Sequence, residues 1–588
     1  NTEKVMPMDE ISDEEKELAE NLLFHTNDEN VSKFANFYRE KKAIQKVVDT
    51  SNLTTEEKVS NLVVEGSKKD LIVYLDELLQ KYSPIDIING PLMTGMDEVG
   101  RLFNNNDLIV AEVLQSAEVM KASVSHLEQF MEKDESSVKG KVIMATVKGD
   151  VHDIGKNLVG IIIGNNGYEV IDLGINASAE KIREAIIEHK ADFLGLSGLL
   201  VKSATEMVNT MGVLHEAGID IPIFVGGAAL TEKFTVNKIE PAYKNNIVIY
   251  SRDAMTALAD LNKMIDEKKF EEFKEYLQKR RDLVTIKDAK KLEQLKVKPT
   301  VSDIKDADGT FDFSKVELPK YDFEKIYKPQ TLNKQIITNI KAKDVFPFIN
   351  LQMLIGKHLG MKWIVNNLIE KQDPRTIKLY NEILDIIENG DEYFDIKAIY
   401  KFFPVRRKAG ERKEDFKIEV LSDDLSTVLE TFDFPRQKYG QYLSLNDYVS
   451  PDGIDYIGFF VATAGEKSRL VSNELKEKGE FYRGHIVNSV GLELAEATSE
   501  YIHKMMRQDV GIIDKDISLN EILNAQYQGN RYSFGYPACP DLSDQRKLFN
   551  LLKPERYGIS LTEEFMMYPE ATVSAIVFSQ PFCKYFNM

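Results

Sequence analysis

One run constrains the chain more than any other: Lys141-Val-Ile-Met-Ala-Thr-Val-Lys-Gly-Asp150-Val-His152-Asp-Ile-Gly155. A β-branched apolar segment stops at a Lys-Gly-Asp turn, and a histidine follows where a helix begins. In an open α/β sheet that point is the carboxyl end of a strand, where ligands bind. An Asp two residues before a His, with Gly three after it, can present an imidazole to a metal while the carboxylate fixes the tautomer. The plain alternative is a helix-capping Asp beside a surface His, so the rest of the chain has to decide.

From 138 to 270 the same rhythm recurs. Short apolar strands are expected at 141–147, 168–173, 192–197, 221–225 and 246–250, alternating with helices at 178–190 and 203–216. Five such units predict a doubly wound, flavodoxin-like parallel sheet. Lys148-Gly-Asp150, Gly195-Leu-Ser197-Gly198 and Gly226-Gly227 then gather at one edge. The glycines let a ligand approach the backbone, and a Ser203 hydroxyl completes a His152–Asp150–Ser203 relay.

Residues 1–137 carry apolar positions at three- and four-residue steps, with Thr54-Thr-Glu-Glu as a helix start; they predict an α-helical bundle. Residues 271–325 are charged and read as the end of a helix and then a linker. Residues 326–588 predict a mixed α/β domain, with strands at Phe416–Val420 and 455–463 and a long helix at 486–507. The chain of 588 residues thus has room for three domains. A net charge of −20 argues against a nucleic-acid surface. No apolar run approaches the length of a membrane span. Two cysteines, Cys539 and Cys583, exclude a disulfide scaffold or cysteine-rich zinc site and suit a reducing cytoplasm.

Val147-Lys-Gly-Asp-Val-His-Asp-Ile-Gly-Lys-Asn157, with Gly195-Leu-Ser-Gly-Leu199 and Val225-Gly-Gly-Ala228, resembles the cobalamin domain of cobalamin-dependent methionine synthases. The resemblance implies that His152 is the lower axial ligand of the cobalt of cobalamin, with Asp150 and Ser203 behind it. It places the displaced nucleotide tail by Ser197, Gly226 and Gly227, with Gly155, Leu199 and Ala228 in the same motifs. Pro91–Phe103 and the following helix resemble the family's helical cap, which implies that Phe103, Val110 and Val113 shield the methyl group of methylcobalamin. Leu is expected at the Val110 position.

The run Arg531-Tyr-Ser-Phe-Gly-Tyr536-Pro-Ala-Cys-Pro540 and Phe578-Ser-Gln-Pro-Phe-Cys-Lys-Tyr585 resemble the activation domain of the same family, which binds S-adenosylmethionine. Asp344, Glu496, Arg531, Ser533, Tyr536 and Tyr585 are the implied contacts. The family often has Glu where Ala525 stands and Ala where Ser533 stands. The basic run Arg406–Lys413 reads as a solvated loop or as a dock for an acidic partner, which the resemblance makes a flavodoxin or diflavin reductase. The family's zinc-bearing homocysteine module and its 5-methyltetrahydrofolate module have no counterpart in these residues. The expectation is a fragment, favoured by the abrupt Asn1, or a subunit of a split enzyme that carries and reductively restores the methyl group. A non-catalytic corrinoid carrier or sensor is the alternative.

Overall fold

The computed structural model describes residues 16, 18, 53–105, 107–130, 138–199, 201–227, 230–265, 269–281, 313, 316–409, 416–514 and 517–587. The first described part is helical: α1 (Thr55–Glu65), α2 (Leu71–Leu79), α3 (Met93–Asn104) and α4 (Val110–Leu127). Thr54 starts α1 as expected. Its hydroxyl accepts the Glu57 amide at 3.2 Å, and the Glu57 carboxylate accepts the Thr54 amide at 2.9 Å, a reciprocal cap that satisfies two otherwise orphaned donors.

A parallel sheet follows, built from β1 (Lys141–Thr146), β2 (Glu169–Asp172), β3 (Phe193–Ser197), β4 (Ile223–Gly226) and β5 (Val248–Tyr250) in the order β2-β1-β3-β4-β5. This is the flavodoxin-like order, with its switch point between β1 and β3. The strands are interleaved with α5 (Ile154–Gly164), α6 (Ala179–His189), α7 (Val201–Glu216) and α8 (Ala254–Ile265). Alternation along β1 divides its side chains between two cores. Val142 and Met144 join Val59, Leu75 and Val113 of the helical part, whereas Ile143 and Ala145 pack with Leu194, Met207 and Val225 on the other face. The first of these clusters also takes in Ile162 and Ile163 of α5 and Leu258 and Leu261 of α8, so these two helices join the N-terminal helices on that side of the sheet.

The C-terminal part is built on an antiparallel sheet of β6 (Gln335–Ile337), β7 (Lys397–Ala409), β8 (Phe416–Leu421), β9 (Val428–Phe432), β10 (Asp455–Thr463), β11 (Asn530–Tyr532) and, beyond a β12 (Ser560–Leu561) and β13 (Met567–Tyr568) pair, β14 (Thr572–Phe578). The order is β11-β14-β10-β7-β8-β9, with β6 on β7. Helices α9 (Lys467–Glu477) and α10 (Phe481–Asp509) follow β10. Helix α10 supplies Ile486, Val490 and Leu494 to one core with Phe402 and Phe460 of the sheet.

Two expectations change. The thirteen-residue β7 lies at the centre of this sheet, although its sequence was not expected to form a strand. Its end also takes in part of the basic run: Arg406–Ala409 are strand residues rather than a solvated loop. The register sets Arg406 opposite Glu419; Arg406 and Lys408 pair with that carboxylate at 2.8 and 2.9 Å, and Arg407 donates to the Asp447 carbonyl at 2.8 Å. Cross-strand neutralisation is what lets the basic residues pair into the ladder. Residues 410–413 lie outside the described residues, as do most of 1–52 and of the linker.

Helix α4 also reaches the C-terminal part. Its Ala111 belongs to the α10 core, while Val113 belongs to the sheet-side core. Glu118 accepts the Tyr482 amide at 2.9 Å and pairs with Lys68 at 3.0 Å, and Glu112 pairs with Arg375.

Space in the sheet core is tight at β3: a Cβ on Gly195 would lie 2.4 Å from Met144 Sδ and 2.5 Å from the Phe224 ring. Gly195→Ala should therefore destabilise the protein by about 1–3 kcal/mol through overpacking. Gly212→Ala, on α7 where nothing lies within 4 Å of the added carbon, should be neutral or stabilising by up to about 1 kcal/mol. Urea unfolding of the two variants measures the difference.

Candidate functional site

The turn after β1 ends in Asp150, a fully buried carboxylate. Four donors converge on it. The His152 amide and His152 Nδ1 reach one oxygen at 3.0 and 2.6 Å; the Leu199 amide and the Ser203 hydroxyl reach the other at 2.6 and 2.5 Å. Burial alone would raise the Asp150 pKa, but the bonds and charge of His152, then Ser203, carry it down to about 2. An anionic acceptor at Nδ1 makes that nitrogen the proton carrier and leaves the Nε2 lone pair outward. The imidazole is itself partly buried, which disfavours its charged form, yet Asp150 more than compensates and its pKa is raised. The expected relay is assembled in full, with the Leu199 amide as an unanticipated fourth donor.

Two cavities flank this turn. The first, about 380 Å³, lies along the carboxyl edge of the sheet and is lined by Gly155, Ser197, Gly226 and Gly227 together with Met144, Phe224, Tyr250 and Met255. Gly227 sits at φ 137°, and a Cβ there would fall 1.8 Å from the Gly198 carbonyl oxygen. Only glycine holds this backbone. Phe103, Val110 and Val113 of α3 and α4 line the same cavity, so the expected apolar lid faces the glycine-edged space rather than the one His152 faces. Ala228 lies outside the described residues.

The second cavity, about 280 Å³, brings His152 and Leu199 together with Glu496, Ser533 and Tyr536 of the C-terminal part. The intervening contact is direct: Lys148, two residues before Asp150, lies 3.4 Å from Glu563. Glu496 comes from α10, and burial raises its pKa against the opposing charge of Arg531. Sequence reasoning missed His358, Glu493 and Glu570 in this cavity. His358 Nε2 lies 3.0 Å from Glu493. Burial, reinforced by the nearby Asp153 and Asp150 and opposed by His152, lifts Glu570 to about 7. Glu493, Glu496 and Glu500 recur at three- and four-residue steps on α10, so one helix face of acids was readable in principle. Glu570, after a turn, gave no such signal.

Three other expected residues are placed differently. Arg531, on β11, does not line the cavity. Its Nη1 lies 2.5 Å from Glu500 and 3.4 Å from the Tyr527 hydroxyl, while Arg507 stacks 4.0 Å above the Tyr527 ring. Tyr585 stacks on Tyr532 with ring centres 6.1 Å apart. Asp344 is exposed and does not line the cavity; its carboxylate accepts the Lys341 amide at 3.3 Å and caps the short helix Ala342–Val345.

Comparison with known proteins follows the same division. Residues 55–128 and 140–259 each match a family described as a B12 binding domain, and 337–588 match the vitamin B12 dependent methionine synthase, activation domain. Methionine synthase of Mycobacterium tuberculosis (strain ATCC 25618 / H37Rv) is 31% identical over all of this chain and 51% of its own length; that of Mycobacterium leprae (strain TN) is 30% identical, again over all of this chain and 51% of its own length. The chain thus spans about half the length of these relatives. Among solved structures, a MetH reactivation domain bound to AdoHcy is 24% identical over 48% of this chain and 86% of that one, with a TM-score of 0.41. A methanol:cobalamin methyltransferase complex of Methanosarcina barkeri is 28% identical over 36% of this chain and 79% of that one, with a TM-score of 0.32. At those scores neither structure carries weight beside the sequence matches. The chain thus carries helical and sheet B12-binding parts followed by a vitamin B12 dependent methionine synthase activation domain.

Proposed function

We propose that this chain is the cobalamin-binding and reactivation part of a methionine synthase, and that it restores its cofactor with one electron and the methyl group of S-adenosylmethionine. The observation that carries the reading is that His152 shares a cavity with Glu496, Ser533 and Tyr536. A lone imidazole with its tautomer fixed by a saturated carboxylate would suit a single bond to a metal held chiefly by another ligand. The glycine-edged cavity, mostly apolar and closed to any Cβ at Gly227, fits the buried nucleotide tail of a corrinoid. When bound, cobalamin supplies a cobalt that carries the methyl group.

The chain's own residues do the rest. His152 would hold the cobalt through its imidazole, and Asp150 with Ser203 behind it would balance the charge of a protonated ring. Phe103, Val110 and Val113 exclude water from the apolar cavity. Arg531, held by Glu500 outside the cavity lining, would anchor the carboxylate of the methyl donor only once the site opens to it. Asp344 and Tyr585 would join that site only through rearrangement. The electron comes from a flavodoxin or diflavin reductase. Transfer from 5-methyltetrahydrofolate to homocysteine belongs to modules outside these residues, the zinc with the homocysteine module. We place the protein in the cytoplasm, and no described helix is long and apolar enough to cross a membrane.

The direct test is to load the purified chain with cobalamin and add a one-electron reductant with and without S-adenosylmethionine. The alkylated-cofactor spectrum and stoichiometric S-adenosylhomocysteine should appear only when both are present; no cofactor uptake would end the proposal. Asp150→Asn removes the anion that favours imidazolium. Cobalt and proton compete for Nε2, so the midpoint for loss of the imidazole-bound spectrum should move to lower pH than in the parent, and His152→Ala should lack that spectrum at every pH. Arg531→Ala should weaken S-adenosylmethionine binding about 10- to 100-fold, the worth of a charge-assisted bidentate pair, measured by titration calorimetry.

A further inference from the structure

The acids of the second cavity are not equivalent. Glu493 is paired with His358 at 3.0 Å, and Glu496 is opposed by Arg531. Glu570 has a carboxylate oxygen that is buried and has no hydrogen-bond partner. Among the described residues that line the cavity there is no Lys or Arg. A buried carboxylate oxygen without a donor is costly unless something charged or protic meets it.

We propose that Glu570 makes this cavity selective for a sulfonium cation over the neutral thioether left when that cation gives up its methyl group. The inference rests on the reading that the cavity takes the methyl donor, and it adds a residue the family resemblance did not supply. A positively charged sulfur facing Glu570 gains a coulombic partner in a region screened from water, where such attraction is larger than in bulk solvent. The thioether carries no charge and leaves the oxygen as it was. Loss of the methyl group therefore removes the attraction, and the product leaves. The charged groups that act on Glu570 are His152 and Arg469, which favour its anion, and Asp153 and Asp150, which oppose it, so His152 is the cavity-lining competitor for the same carboxylate. The comparison is repeated in His152→Ala, which removes that competitor.

Titration calorimetry of the full chain with S-adenosylmethionine and with S-adenosylhomocysteine tests this. The parent should favour the sulfonium about tenfold. Glu570→Gln should bring the ratio to within about threefold of unity with thioether affinity kept, and Glu570→Asp should retain most of the preference. Far-UV circular dichroism and thermal unfolding establish that the variants are folded. An unchanged ratio in Glu570→Gln, or an equal loss for both ligands, overturns the proposal while leaving the donor site intact. Selectivity that disappears in His152→Ala also overturns it, because the carboxylate would then act through the imidazole. If the parent binds neither ligand, the donor-site reading fails first.

Discussion

The saturated carboxylate of Asp150 is the interaction on which the rest depends. Its two oxygens receive four donors from three places in the chain: the His152 turn after β1, the Leu199 amide after β3 and the Ser203 hydroxyl at the start of α7. One buried anion thus ties two strand ends together and sets the proton position on the imidazole. Burying a charge is unfavourable unless hydrogen bonds replace its water, and here every acceptor direction is used. The loops around the switch point of the sheet are therefore held by the same group that tunes the ligand. A substitution that spares the fold but changes this group alters the chemistry first.

Packing extends this arrangement outward in two directions. On one side the parallel sheet shares its core with the N-terminal helices, because Val142 and Met144 alternate away from Ile143 and Ala145. On the other, the His152 turn lies against the C-terminal part, with Lys148 near Glu563 and Gly149 so close to Glu564 that a Cβ would lie 2.4 Å from its side chain. The histidine faces a cavity that no single part of the chain could enclose.

Much of this was legible from residue order. The five parallel strands fell within one or two residues of their expected bounds, because short β-branched runs bounded by Gly turns are specific local signals. The motif around His152 carried its own geometry, since Asp150 and the imidazole are neighbours in sequence. What was not legible depended on long-range placement. Lys397–Ala409 ends in basic residues that favour solvent until Glu419 is set opposite them. The lid residues Phe103, Val110 and Val113 were found, but which cavity they close is a question of how helices sit on a sheet. Glu570 lies 418 positions after His152 in the numbering, and only the fold brings them to one wall.

Helix α4 touches both halves of the molecule: Val113 seals the glycine-edged cavity, and Ala111, two residues earlier, packs into the core organised by α10. An α-helix is stiff over its eighteen residues, so it transmits displacement rather than absorbing it. The same rod rests against the helix bearing Glu493 and Glu496. One rigid helix is thus a shared wall element: it borders the first compartment and backs the helix that borders the second.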